Sequence, residues 1–168
     1  MIQLIDFSTL ALPDVPTFVV RIPEVYRGPR ARQQIRQALG LLVTRWLGPE
    51  VQVFETSVGP TLSDSTWLIS LSYDGTDGWI AWSASGAVGV DAVLVEPLVE
   101  MPELVRDYLQ GVGFPLNAAT NTQAFAMSWS AMEAVLKRDR RALQPRQYWD
   151  VRGVKHLRYG AVVVALAS

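Results

Sequence analysis

Apolar residues recur along this chain with two different periods. Across residues 30–46, Ile35, Leu39, Leu42 and Trp46 fall at steps of three and four. That spacing lays one apolar stripe along a helix, which Pro29 opens and Gly48-Pro49 stops. Shorter stretches at 1–6, 17–22, 51–55, 67–72, 78–83 and 88–95 alternate or run apolar and read as strands. Turn residues at 57–60 and 74–78 punctuate them. Helices are predicted over 101–110 and 122–138, and a closing strand or strand pair over 155–167. The order (strands, helix, strands, then strand, helices, strands) predicts an α+β chain of two similar lobes, 1–85 and 86–168, meeting near residues 84–88.

Composition adds limits. The chain has 168 residues, 49% hydrophobic and 18% charged, enough to bury a core and too apolar for a disordered tail. Its longest apolar stretches, such as 160–167, fall far below the roughly 20 residues a membrane helix needs. The first residues lack the basic start and apolar run of a signal peptide, so a cytoplasmic location is expected. With no cysteine, disulfides, thiolate metal sites and thiol nucleophiles are excluded. His156, the single histidine, leaves little room for a zinc site or a histidine-based triad.

The net charge of −1 hides a segregation. Residues 50–107 carry ten acids and one base, Arg106, whereas residues 137–158 carry eight bases against Asp139 and Asp150. Arg27, Arg30, Arg32, Arg36 and Arg45 add a second basic region. This predicts an anionic partner on a basic face, or simply a solvated polar side. The slightly acidic total and the absence of a nucleic-acid-binding motif argue against DNA or RNA.

The candidate chemistry lies in two segments. Glu133 and Lys137 are four apart and share one helix face, and Asp91 ends the apolar run 87–90. A strand-end carboxylate facing a helix that bears a carboxylate and an ammonium is the layout of a hard-cation site beside a phosphate. The plainer reading is a strand cap and an ordinary surface pair.

Ser70-Leu-Ser72, Gly89-Val-Asp91 and Trp129-xxx-Glu133-Ala134-xx-Lys137, in that order, resemble the pattern of the two-lobed, surfactin-synthetase-activating type of 4′-phosphopantetheinyl transferase. The resemblance spans the chain from about Arg27 to its end. It implies two α/β lobes related by pseudo-two-fold symmetry. It also implies transfer of the 4′-phosphopantetheine arm of coenzyme A to a serine of an acyl or peptidyl carrier protein. By the family's pattern Asp91 and Glu133 bind magnesium, Lys137 contacts the coenzyme A phosphates, and Glu133 also activates the serine. Arg27, Arg30 and Arg32, the turn at Gly59-Pro60, and the Ser72-Tyr73 pair complete the implied coenzyme-binding set. Such a chain works as a monomer.

Four positions depart from that pattern. Val93 stands where the family has a second strand acid, Met132 where it has a lysine, Tyr73 where it has a histidine, and Val58-Gly59-Pro60 lacks the lysine of the Gly-Lys-Pro turn. These departures raise an alternative expectation, a transferase-like protein that docks a carrier protein or biosynthetic partner with weakened turnover.

Overall fold

The computed structural model describes residues 2–168. Its elements in chain order are β1 (Leu4–Asp6), β2 (Thr17–Pro23), α1 (Ala31–Leu47), β3 (Val53–Thr56), β4 (Gly59–Leu62), β5 (Leu68–Asp74), β6 (Asp77–Ser83) and β7 (Gly89–Leu94). They continue with α2 (Met101–Tyr108), β8 (Gln110–Val112), α3 (Thr122–Arg138), β9 (Tyr148–Asp150), β10 (Lys155–Tyr159) and β11 (Val162–Ala167). The fold is α+β. Among the described residues no helix is long and apolar enough to cross a membrane.

Two sheets, each built from one half of the chain, carry the structure. The first has strand order β1-β2-β6-β5 and the second β10-β11-β7. Alternation along the strands decides what lies on each face. Phe18, Val20, Ile80 and Trp82 turn to α1 and pack on Ile35, Leu39 and Leu42. The intervening Val19, Trp79 and Ala81 turn the other way and meet Val90, Ala92, Val162, Val164 and Leu166 of the second sheet. That sheet's opposite face, through Ala165 and Ala167, packs on Ala131, Ala134 and Val135 of α3. The result is four layers: α1, sheet, sheet, α3. A strand buried on both faces reads as a continuous apolar run, and every residue of β6 and β11 is buried.

The two sheets also meet edge to edge. Strand β7 pairs with β11 on one side only. On its other edge Val90 N donates to Ser70 Oγ (3.1 Å), Ala92 N to Ser72 Oγ (3.1 Å) and Leu94 N to Asp74 Oδ2 (2.8 Å). The constant offset means that β5 and β7 run in the same direction, joined by side-chain oxygens rather than main-chain carbonyls. Two glycines allow close approach elsewhere. A Cβ at Gly89 would strike the Ala134 carbonyl of α3, and one at Gly111 would strike Trp149 O across the β8–β9 pair.

The structure corrects several expectations. Gly59 and Pro60 do not sit in a turn; they open β4, where Gly59 pairs with Thr56 and Pro60 with Glu55. Asp91 does not end its strand but lies inside β7, opposite Ala165. Ser72 lies within β5 as the strand predicted over 67–72 has it, and Tyr73, placed beyond that strand, belongs to β5 as well. Helix α2 stops at Tyr108, and the next residues form β8, whose parallel partner β9 carries no strand pattern of its own. Met1 lies outside the described residues.

The edge seam is open to test. Ser70→Ala leaves the buried Val90 N–H without an acceptor and is expected to cost about 1–3 kcal/mol in urea unfolding. Ser57→Ala, at an exposed position, is expected to stay within about 0.5 kcal/mol.

Candidate functional site

A cleft of about 760 Å³ opens along this seam. Its walls come from β5, β7, α3, the start of α1, the beginning of β4 and the segment leading into α2. Helix α3 contributes a stripe at four-residue spacing, Phe125, Trp129, Glu133 and Lys137, all of which line the cleft. The spacing keeps them on one face. Asn121 sets the register by capping the helix, its side chain accepting from Ala124 N at 2.9 Å.

Asp91 sits at the centre. Alternation along β7 turns Val90 and Ala92 into the core between the sheets and Asp91 to the opposite face, where α3 lies. The residue is buried, at 7% exposure. Asp91 Oδ1 accepts from Ser72 Oγ at 2.9 Å and from Lys137 Nζ at 2.6 Å. The same ammonium donates to Leu71 O at 3.2 Å and Val90 O at 3.1 Å. Lys137 thus places all three of its protons on oxygens of the seam, two of them carbonyls that β5 and β7 do not use on each other.

Glu133, one turn earlier on α3, differs sharply. It is half-buried and receives no hydrogen bond among the described residues. Its proton affinity is raised above the ordinary glutamate value, first by burial and then by the nearby charge of Asp91, while Lys137 opposes the shift. One acid is therefore engaged through a single oxygen, Oδ1, and the other is held close by without a partner among the described residues.

The arginines form the rim. Arg27 faces Asp74 and Glu96, each at 3.6 Å. Arg32 lies 3.8 Å from Glu55, which Arg36 grips through two nitrogens. Part of the charge segregation seen along the chain is pairing in space: Glu55 meets Arg32 and Arg36 of α1, Asp91 meets Lys137 of α3, and Asp74 and Glu96 meet Arg27. Arg138 and Arg140 also line the cleft. They lie at the C-terminal end of α3, so its stripe runs from aromatic at Phe125 to basic beyond Lys137.

Of the residues singled out in the sequence, Arg27, Arg32, Gly59, Pro60, Ser72, Tyr73, Asp91, Glu133 and Lys137 all border this one cleft. Arg30 is not among its lining residues; it sits at the N-cap of α1. Ser72 reaches the cleft with its hydroxyl spent on Asp91 and on Ala92 N. Met132 is fully buried in the core beneath α3, so a side chain at this position points away from the cleft. His156 is also remote, its Nε2 at 3.0 Å from Met127 O. Arg36, Arg138 and Arg140 entered the sequence reading only as members of the basic regions, and Trp129 only as part of the motif; none was named as a site residue. The four-residue spacing from Phe125 to Lys137 was the available signal.

Magnesium can be tested against these groups. Among the described residues no three His, Cys, Asp or Glu side chains cluster as a metal-binding group. Two carboxylates remain, Asp91 through Oδ2 and Glu133. They fit a magnesium ion that takes its other oxygens from water and from a ligand's phosphates, which is how magnesium is commonly held.

The state of Glu133 predicts a pH dependence. Because its folded-state proton affinity is raised, the folded protein holds a proton that the unfolded chain gives up near pH 4.5. Stability is therefore lost as pH rises from that value through the raised one. Glu133→Gln mimics the protonated form. It is expected to melt higher than the parent protein at neutral pH, with the gap closing as pH falls below about 4.5. Melting curves across pH read this directly.

The chain matches no family model, and no curated protein matches it. The functional reading therefore rests on the cleft itself and on the motif resemblance.

Proposed function

We propose that the cleft binds coenzyme A, and that the protein transfers the 4′-phosphopantetheine arm to a serine of an acyl or peptidyl carrier protein. The observation that carries this reading is the convergence of Ser72 and Asp91 from two sheets with Glu133 and Lys137 from α3, beside arginines Arg27 and Arg32. On this reading the two sheets with α1 and α3 are the two pseudo-two-fold-related lobes of a phosphopantetheinyl transferase-like fold. The order α1, sheet, sheet, α3 supports it, since each sheet carries its own outer helix.

In the proposed reaction the serine oxygen attacks the phosphorus that bears the pantetheine arm. The bond from that phosphorus to the bridging oxygen breaks, and 3′,5′-ADP leaves with the electron pair. Glu133, through an oxygen that the metal does not take, accepts the serine proton; it is the carboxylate on this wall that holds no hydrogen bond among the described residues. Asp91 and Glu133 hold magnesium, which when bound neutralises charge on the diphosphate. Lys137 places a positive charge at the same point, and Arg27 and Arg32 give the nucleotide end a basic rim. The protein acts as a cytoplasmic monomer, and the basic rim suits the acidic surface typical of carrier domains.

A second reading is favoured by the commitment of Asp91 to Lys137 and Ser72 and by apolar Val93 on the cleft wall. On it, the protein docks a carrier protein or biosynthetic partner without turnover.

Mass spectrometry separates the two. Purified protein, coenzyme A, magnesium and apo carrier proteins are expected to give one phosphopantetheine mass gain, lost in Asp91→Ala and Glu133→Ala. No gain on any carrier, beside a working control transferase, would leave the docking reading. Arg27→Ala with Arg32→Ala is expected to weaken coenzyme A binding by about tenfold or more, measured by calorimetry.

A further inference from the structure

We propose that Lys137 is the resident counter-ion of the site: it holds the cation's place on Asp91 in the resting protein, and a divalent metal enters only together with a diphosphate that draws the ammonium away. This rests on the coenzyme A reading above for the identity of the diphosphate, but the role of Lys137 can be tested on metal alone.

Three observations lead here. The ammonium of Lys137 is seated on three oxygens, two main-chain carbonyls from different sheets and one buried carboxylate. A flexible lysine that only steered a ligand would have no need of such a seat. Next, Asp91 Oδ1 is filled, since Ser72 and Lys137 both bond it. A metal on Asp91 Oδ2 would therefore lie within a few ångströms of a fixed ammonium, and in a partly dry cleft that repulsion is strong. Finally, Asp74 and Glu96 of the same cleft face Arg27, and among the described residues no third acidic side chain joins Asp91 and Glu133 in a metal-binding group, so the site lacks the further protein anion that would outweigh the lysine. A diphosphate supplies what is missing. Its oxygens give the metal additional ligands and offer the ammonium acceptors in exchange for Asp91.

Lysine and metal thus compete for one carboxylate, and removing the lysine should create a site for metal without ligand. A lysine that merely clamps the two sheets would, when removed, lower stability and leave metal binding unchanged.

The test is titration of the full chain with Mn²⁺ alone, read by the paramagnetic resonance signal of the free ion. Lys137→Met is expected to bind Mn²⁺ about tenfold or more tightly than the parent protein, and Glu133→Gln in that background to abolish the gain. Lys137→Gln, which keeps donors for Leu71 O and Val90 O without the charge, is expected to show the same gain and covers the case in which Lys137→Met fails to fold. Coenzyme A is expected to raise Mn²⁺ affinity in the parent protein and to raise it much less in the lysine variants. The proposal is overturned if the parent binds Mn²⁺ alone as tightly as the variants, or if neither folded variant gains affinity. It is equally overturned if the parent binds coenzyme A and gains no Mn²⁺ affinity from it. Failure to bind coenzyme A at all would count against the proposed function, while the Mn²⁺-only comparison would still decide the role of Lys137.

Discussion

The structure depends on how β7 satisfies its second edge. Burying a strand edge without partners leaves main-chain groups unpaired, at about 1–3 kcal/mol each. Here the N–H groups of Val90, Ala92 and Leu94 are taken by Ser70, Ser72 and Asp74, side chains standing at every second position of β5. Because side chains replace main chain, β5 and β7 are not zipped into one continuous sheet, and the carbonyls of Leu71 and Val90 are left facing the gap. Lys137 fills that gap from α3. The seam that joins the two halves of the chain therefore also creates the polar floor of the cleft.

The chemistry follows from the same geometry. Strand alternation sends Asp91 to the α3 side of the sheet, and a one-turn separation puts Glu133 and Lys137 within its reach. The two acids then part in character. Asp91 has a lysine and a hydroxyl on its Oδ1, whereas Glu133 is half-buried beside a like charge with no hydrogen bond, among the described residues, to offset either effect. A protein evolving for stability alone gains nothing from such a carboxylate. Under the proposed function, the role of this acid on the cleft wall is what offsets its destabilising position.

Legibility in the sequence varied with the range of the forces involved. Helix α3 runs over 122–138 as its periodicity predicts, because its cap and its apolar stripe are local. Strands β8 and β9 were illegible: three residues each, they pair only because Gly111 lets the chain pass against Trp149. Gly59-Pro60 has turn composition yet continues a hairpin strand, since Pro60 sits on a two-stranded ribbon that has free edges for a residue without an N–H. The candidate residues were found as types and spacings, but their pairing was not. Nothing local connects Lys137 with Asp91, Leu71 and Val90, and the polar alternation Ser70-Ser72-Asp74 gains its meaning only from a strand that follows it by some twenty residues.

The departures from the transferase-like pattern are not equivalent once placed in the fold. Met132 lies in the core under α3, so a lysine missing there takes no charge from the cleft. Val93 lies on the cleft wall, and an acid at that position would add a negative charge to the pair already present. Three acids against Lys137 would leave an excess that only a divalent cation could neutralise. With Val93 the two acids and the lysine come to one formal net negative charge. The electrostatic demand for a metal in the empty cleft is correspondingly small. On the proposed function, what would call a metal in is the charge of the incoming diphosphate, which would make the ligand, rather than the protein, the dominant source of attraction.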